Sequence, residues 1–417
     1  MNDLIPSLPH GSPKIEVDLT DCLLNHMDIS VSEAERRTNS ALNIRESYTV
    51  YLIETRITDN GWELIEHGLG QIWRRYSEFE QLRNYLSTTY PWAVIPPLPE
   101  KKHTYPVHGL GTDTVDPDFI DRRRAGLENF LHRIAQHPSI SKDSMFLTFL
   151  QQEEGWRNSV RDKGYVKMAE DKIKTLSAIV RLKDSDPEFE LLRKYIHGVQ
   201  GALHNLLRIR SRAALKVYNI HKLNGSYGKL FSEWSAIEKQ MGDGLQQAGH
   251  FFDSIAANTE TQVEEEEQII DQVKEYLFYA SSLEDICNKR NTIQMEIGQM
   301  IESVKTKTAE KEKVVQGKFG VFSRLLGAVE TEEKQAQKIH QLDSKIKETE
   351  EKIGHAKDAI ADYKELAIQD IDAFQKKKVS DLRDTLESYV KYQIKMAKKN
   401  LQTWSNIKES IHNIPSS

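Results

Sequence analysis

The chain has 417 residues, 38% hydrophobic and 29% charged, with a formal net charge of −6 and a mean hydropathy of −0.59. That length allows two or three domains, and the thin apolar content suits elongated helices better than one compact globule. The acidic balance argues against a general nucleic-acid binder, and with no long uncharged apolar run any membrane contact is peripheral.

Two distant cysteines, Cys22 and Cys287, make no metal-spaced pair and read as unpaired thiols of a reducing, cytosolic compartment. Residues 1–25 hold Pro6, Pro9, Gly11 and Pro13 with little pattern and are expected to be a disordered tail. Strand-like runs follow at 27–31 and 48–57, then a turn at Asp59, Asn60 and Gly61 and a third strand at 69–73. That third run delivers Trp73-Arg74-Arg75-Tyr76-Ser77-Glu78-Phe79 to the start of a helix over 77–88, with Phe79, Leu82 and Leu86 at helical spacing. A guanidinium offers five donors in a fork that matches phosphate oxygens, and an adjacent aromatic face can lie against a sugar-like ring. The plainer reading is an exposed strand end paired with Glu78 and Glu80. Arg74 reads as structural rather than as a ligand.

Pro96-Pro97-Leu98-Pro99-Glu100-Lys101 predicts an extended, polyproline-type loop, which alone also fits an SH3 ligand. An amphipathic helix over 118–137 turns Phe119, Leu127, Phe130, Leu131 and Ile134 inward, and a short helix over 145–150 closes the module. Strands followed by helices over 26–152 make an α+β domain of ordinary size. Successive helical side chains diverge, so Arg122 and Arg124 cannot share the direction of Arg123, and both are expected to be solvated or membrane-facing.

Arg-Arg-Tyr-Ser-Glu-Phe, the proline loop ending in lysine, and Phe119-Ile120-Asp121-Arg122-Arg123-Arg124-Ala125-Gly126-Leu127 occur in that order. Together they resemble the phox-homology (PX) domain of the sorting nexins. The resemblance implies binding of phosphatidylinositol 3-phosphate. Arg75 would grip the 3-phosphate, Tyr76 would pack under the inositol, Lys101 would meet the 1-phosphate, and Arg123 would hydrogen-bond the 4- and 5-hydroxyls.

Residues 153–187 read as a linker. Its basic helix, with Val166, Ala169, Ile173, Leu176 and Val180 on one face, fits either a membrane interface or packing on its own domains. No proline occurs between 188 and 414, so long helices are expected at about 188–223, 229–313 and 330–412, separated by a turn at 224–228 and a break at 317–327. The first stripe is interrupted only by Arg210, the second is expected to bury Trp234, Ile237 and Met241, and the third repeats Ile339, Ile346, Ile353, Ile360, Ala367 and Phe374 every seven residues. Such spacing implies coiled-coil packing, and helices on the order of 100 Å long are expected to need a dimer to cover their stripes.

After a PX domain, this three-helix antiparallel coiled coil (188–413) resembles the BAR domain of the PX-BAR sorting nexins, where two chains form a crescent. That resemblance implies a peripheral protein on the cytosolic face of early or recycling endosomes, sensing or inducing curvature, sorting membrane cargo into recycling tubules and serving autophagy. A heterodimer with another PX-BAR chain is expected first, and a homodimer second. Lys376, Lys377, Lys378, Lys391, Lys395, Lys398 and Lys399 are candidates for a positive inner face. Lys318, Phe319, Phe322 and Arg324 fit a lipid-touching tip or a helix cap, and 264–267 reads as a solvent-facing acidic run. No catalytic, metal or cofactor motif is present, so no enzyme is expected. The rival function is a coiled-coil adaptor whose PX domain and PxxP loop bind proteins.

Overall fold

In a computed structural model of the chain, residues 22–39, 46–58, 70–101, 116–152, 156, 186–316 and 332–414 are described. The expectations for most of the N-terminal tail, the 59–61 turn, the basic linker helix and the 318–324 tip lie outside these residues. The chain divides into two compact units, Met1–Leu82 with Arg123–Asp162, and Arg83–Arg122 with Lys163–Ser417. The helices α1 (Tyr76–Thr89) and α2 (Pro117–Ala135) each contribute one part to each unit.

In the first unit β1 (Met27–Asn39), β2 (Glu46–Ile57) and β3 (Gly70–Arg75) form an antiparallel sheet in that order. β1 runs past its expected end because residues 33–38 are held by the ladder to β2, not by burial of their own side chains. Such a polar edge strand lacks the apolar alternation that marks a half-buried one. The register shifts between Val31 and Glu33, and α2 supplies the partners there. Glu128 accepts the Val31 N–H at 2.8 Å and Arg124 donates to the Val31 carbonyl at 2.5 Å. Arg124 is thus committed to the sheet and not to solvent, contrary to the sequence expectation.

Val31, Tyr51, Ile53, Phe79, Leu127, Phe130 and Phe149 are almost fully buried. The Phe79 ring meets Phe130 and Phe149 edge-on at 6.3 and 5.1 Å, an arrangement favoured by the ring quadrupoles. α3 (Ser144–Gln151) starts on Asp143, whose carboxylate accepts the N–H groups of Met145 and Phe146. That satisfies two of the donors every helix start leaves open.

The second unit is built on α4 (Pro187–Ser235), α5 (Gly242–Val315) and α6 (Glu332–His412), of 49, 74 and 81 residues. At 1.5 Å per residue these are about 75, 110 and 120 Å long. α4 begins with Asp186 accepting the Glu188 N–H and with Pro187 in the first turn, where its missing N–H leaves no bond unmade. The turn expected at 224–228 is not there. α4 continues to Ser235, and the chain reverses over 236–241. Gly228 instead serves close helix contact, since a Cβ there would lie 2.1 Å from Asp253 Oδ1 and 3.1 Å from the Gly249 carbonyl. Trp234 and Ile237 consequently sit at and after the end of α4 and are exposed.

The heptad seam of α6 holds. Leu342, Tyr363 and Ala367 are buried, while Ile339, Ile346, Ile353 and Ile360 are half-buried. Polar links from α5 run alongside it, Lys311 to Asp343 at 2.5 Å, Lys307 to Thr349 at 3.2 Å and Glu310 to Lys338 at 3.4 Å. This part of the seam therefore pairs helices of one chain.

A core of Phe189, Ile196, Tyr276, Tyr279, Leu283, Ile286, Tyr363 and Ala367 also takes in Val94 of the proline loop. Burial pushes the Cys287 thiol in this core up to about 11, which leaves it unreactive. The Val94 N–H donates to Asp370 at 2.6 Å, Ser282 donates to the Ile95 carbonyl at 2.7 Å, and Tyr363 lies 2.9 Å from the Pro91 carbonyl. Pro96 and Pro97 are buried. An SH3 domain reads exposed proline faces, so the expectation of a PxxP docking loop is corrected: this loop is a structural strap.

Candidate functional site

Pleating decides the fates of the two arginines that end β3. Arg74 pairs opposite Tyr51 and Arg75 opposite Val50, so their side chains leave opposite faces of the sheet. Arg74 is 1% exposed. It donates to the Phe149 carbonyl at 2.9 and 3.2 Å and to the Gln152 carbonyl, pairs with Glu78 at 3.5 Å, and lies over the rings of Phe149 and Trp156. It is structural, as its sequence context indicated.

Arg75 is only partly buried. Its backbone N–H is held by Glu78 at 2.8 Å, and its guanidinium carbon sits 3.4 Å from the centre of the Tyr48 ring. Stacking engages the flat face of a guanidinium and leaves the N–H edges in its plane able to meet an anion. Tyr76 opens α1 directly after it. Over the Tyr76 ring, at 5.3 Å, lies the guanidinium of Arg123, which also donates to the Tyr51 hydroxyl at 3.4 Å and is 9% exposed. Burial raises the Tyr51 hydroxyl's pKa, against the opposing pull of Arg123, so the phenol stays neutral.

Of the four expected site residues, Arg123 and Tyr76 are in contact, while Arg75, next to Tyr76 in the chain, turns its side chain to Tyr48; all three belong to the first unit. Lys101 is exposed in a bend at the end of the strap and belongs to the second unit. Tyr48 and Tyr51, which hold Arg75 and Arg123, are contacts that sequence reasoning missed. The signal was available in the period-two register of β2, which sets these tyrosines on the two faces that receive Arg75 and Arg74.

Arg122 is not solvated either. It pairs with Glu267 of α5 at 3.2 Å and reaches Asp271 at 3.9 Å. Glu267, expected to face solvent, is 2% exposed and also binds Lys274 and Arg210.

The long helices carry a second surface. Val379, Leu386, Val390, Ile394, Leu401 and Trp404 of α6 are all exposed, and so are Ile209, Ile220, Leu223 and Leu230 of α4. Steps of three, four, seven and eleven residues set each group along one helix face, and an exposed apolar stripe of that kind marks an interaction surface. Most lysines expected to form a positive face are engaged. Lys376 pairs with Asp372, Lys377 with Asp381, Lys391 with Glu387 and Lys395 with Glu265, while Lys378 packs on Tyr195. Among the described residues no helix is long and apolar enough to cross a membrane, and no group of three metal-ligating side chains occurs.

Comparison with known proteins finds the PX domain family over residues 66–153 and the family described as Vps5 C terminal like over residues 165–410. Sorting nexin-4 of Bos taurus and of Homo sapiens are each 43% identical over 399 residues, covering 93% of this chain and 87% of theirs. Sorting nexin-30 of Xenopus tropicalis is 28% identical over 272 residues. Among solved structures, the cryo-EM structure of the SNX-BAR Mvp1 tetramer matches with a TM-score of 0.56 at 18% identity, covering 91% of this chain and 99% of that one. At that identity the likeness is one of fold.

Proposed function

This chain belongs to the PX-BAR sorting nexins, non-enzymatic proteins that bind phosphoinositide membranes and form BAR dimers, and on that footing we propose that it reads phosphatidylinositol 3-phosphate on endosomes. The observation that carries the reading is the Arg123 guanidinium over the ring of Tyr76, the residue that follows Arg75 in the chain. Arg75 supplies a forked donor set for the 3-phosphate, its flat face already occupied by Tyr48. Tyr76 packs under the inositol ring. Arg123 hydrogen-bonds the 4- and 5-hydroxyls and so disfavours phosphates there. Lys101 meets the 1-phosphate as a mobile point charge.

In this reading residues 26–152 are the lipid-reading domain, 153–187 the linker and 188–413 the BAR domain. The bare stripes of α4 and α6 are the dimer surface, covered first by another PX-BAR chain and second by a copy of this one. A dimer joins two lipid sites, so modest affinities combine through effective concentration. The protein then acts on the cytosolic face of early or recycling endosomes, collecting cargo into curved tubules and serving autophagy-related transport.

Sedimentation with liposomes tests this. Binding is expected to need phosphatidylinositol 3-phosphate and to fall at least tenfold, about 1.4 kcal/mol, in Arg75→Ala. Equal sedimentation of both proteins would remove the lipid reading.

A further inference from the structure

Two helices of the long-helix unit each carry an outward seam in addition to the one they bury. From Leu206 to Trp234 on α4, every position reached by alternating steps of three and four residues is exposed, and all are apolar or aromatic except Lys216. From Val379 to Ile411 on α6 the same alternation holds, with one repeated step of four at 390–394, and again every position is exposed. The exceptions there are Arg383 and Lys408. Such alternation over several turns is the pattern that packs against another helix. The two seams lie side by side, because Tyr227 of α4 and Trp404 of α6 both set their rings against Phe252 of α5, at 5.5 and 5.8 Å.

The three interruptions share a sign. Among the described residues, Lys216, Arg383 and Lys408 take part in no ion pair. Nor does α4 supply a carboxylate nearby: between Glu190 and Glu233 it holds eight Lys and Arg and no Asp or Glu. On α6, Asp381 and Glu387 are already paired with Lys377 and Lys391. Asp384 and Glu409 remain, and neither occupies a seam position. A cation in a helix seam fixes partner and register, and burying it without a counter-charge is costly. A second copy of this chain, joined about a two-fold axis, would lay these seams against themselves and offer the cations no carboxylate from any seam position. A helical partner with carboxylates facing them would neutralise all three.

We propose that Lys216, Arg383 and Lys408 select the dimer partner: a coiled-coil chain of different sequence whose facing seam carries Asp or Glu. The same three charges disfavour self-pairing. The proposal rests on the reading of these stripes as the dimer surface, and it adds the chemistry of what covers them.

The test is analytical ultracentrifugation of full-length chains, alone and mixed. The probe is a charge-reversed copy of this chain, with Lys216→Glu, Arg383→Glu and Lys408→Glu together. Its seam charges are acidic whichever positions come to face a wild-type cation. It should pair with wild type about tenfold more tightly than wild type pairs with itself. A second variant, with Lys216→Leu, Arg383→Leu and Lys408→Leu, should self-associate about tenfold more tightly than wild type. Mixed pairing no tighter than wild-type self-pairing overturns the proposal, and so does a leucine variant that self-associates at the wild-type level. All three side chains are exposed, so helical circular dichroism should not change. If either variant loses helical signal or precipitates, the other decides alone. Phosphatidylserine vesicles test the other anionic occupant. If the glutamate variant stops binding them while pairing no more tightly with wild type, the seams face lipid and the proposal falls. If every species and mixture stays monomeric, the dimer-surface reading fails as well. If all dimerise equally, that reading stands and only the charge selection fails.

Discussion

The two units bury charge in different ways. In the sheet unit one guanidinium, Arg74, lies among backbone carbonyls and aromatic faces, with a single carboxylate, Glu78, four residues on. In the long-helix unit Glu267 collects cations from positions 122, 210 and 274. The first arrangement follows from strand alternation over adjacent residues. The second exists only once distant segments have met. Local charge burial fixes a side chain's direction, and distributed charge burial fixes where segments stand.

Breaking the local arrangement should have the largest effect. Arg74→Met takes the guanidinium away from two carbonyls and from the Glu78 carboxylate, 4% exposed and then left with the Arg75 N–H but no facing cation charge from Arg74. The expected loss is about 3–5 kcal/mol, as for other buried pairs missing one partner. Amide exchange in β2 and β3 should then quicken by about two to three orders of magnitude. Near-wild-type protection would mean that water reaches Glu78 and that the burial is shallower than described.

The distributed arrangement should respond less, and with a pH signature. Glu267→Gln keeps an acceptor but removes the charge, so about 2 kcal/mol is expected at pH 7. Because the folded-state pKa of Glu267 is depressed, its contribution is present above the ordinary glutamate value near 4.3 and is lost as pH falls through the lower folded value. Urea midpoints of wild type and variant should therefore differ most at neutral pH and converge below about pH 4. A gap that stays constant with pH would show that the side chain acts through packing and not through charge.

The same contrast explains how much was legible. The three strands, the amphipathic helix and the α6 heptads were all readable, because each is a periodic pattern within one segment. The extension of β1 was not, since residues 33–38 are held by hydrogen bonds to β2 and carry no apolar alternation. Gly228 looked like a turn because glycine serves a turn and a close helix crossing equally well. Arg122, Arg124 and Glu267 looked solvated because partners as far off in sequence as Glu267 is from Arg122, or Val31 from Arg124, leave no mark in a charge's own neighbourhood. Tyr48 could have been found by laying β2 against the two arginines of β3.

Arg75 supplies the smallest effect and the finest test of that contrast. Like Arg74 it stacks on an aromatic ring, but it is partly exposed and its fork is open. A stacked cation–aromatic contact contributes about 0.5–2 kcal/mol, the lower end applying where solvent reaches it. Tyr48→Ala should therefore weaken headgroup binding by about threefold to tenfold, chiefly by letting the Arg75 side chain wander. Tyr48→Phe keeps the ring face and should bind as wild type. If the phenylalanine variant weakened binding as much as alanine, the hydroxyl and not the plate would matter, and Tyr48 would belong among the groups that touch the lipid. If neither changed it, Arg75 would be positioned by its backbone bond to Glu78 alone, and both arginines of β3 would owe their direction to the carboxylate that begins α1.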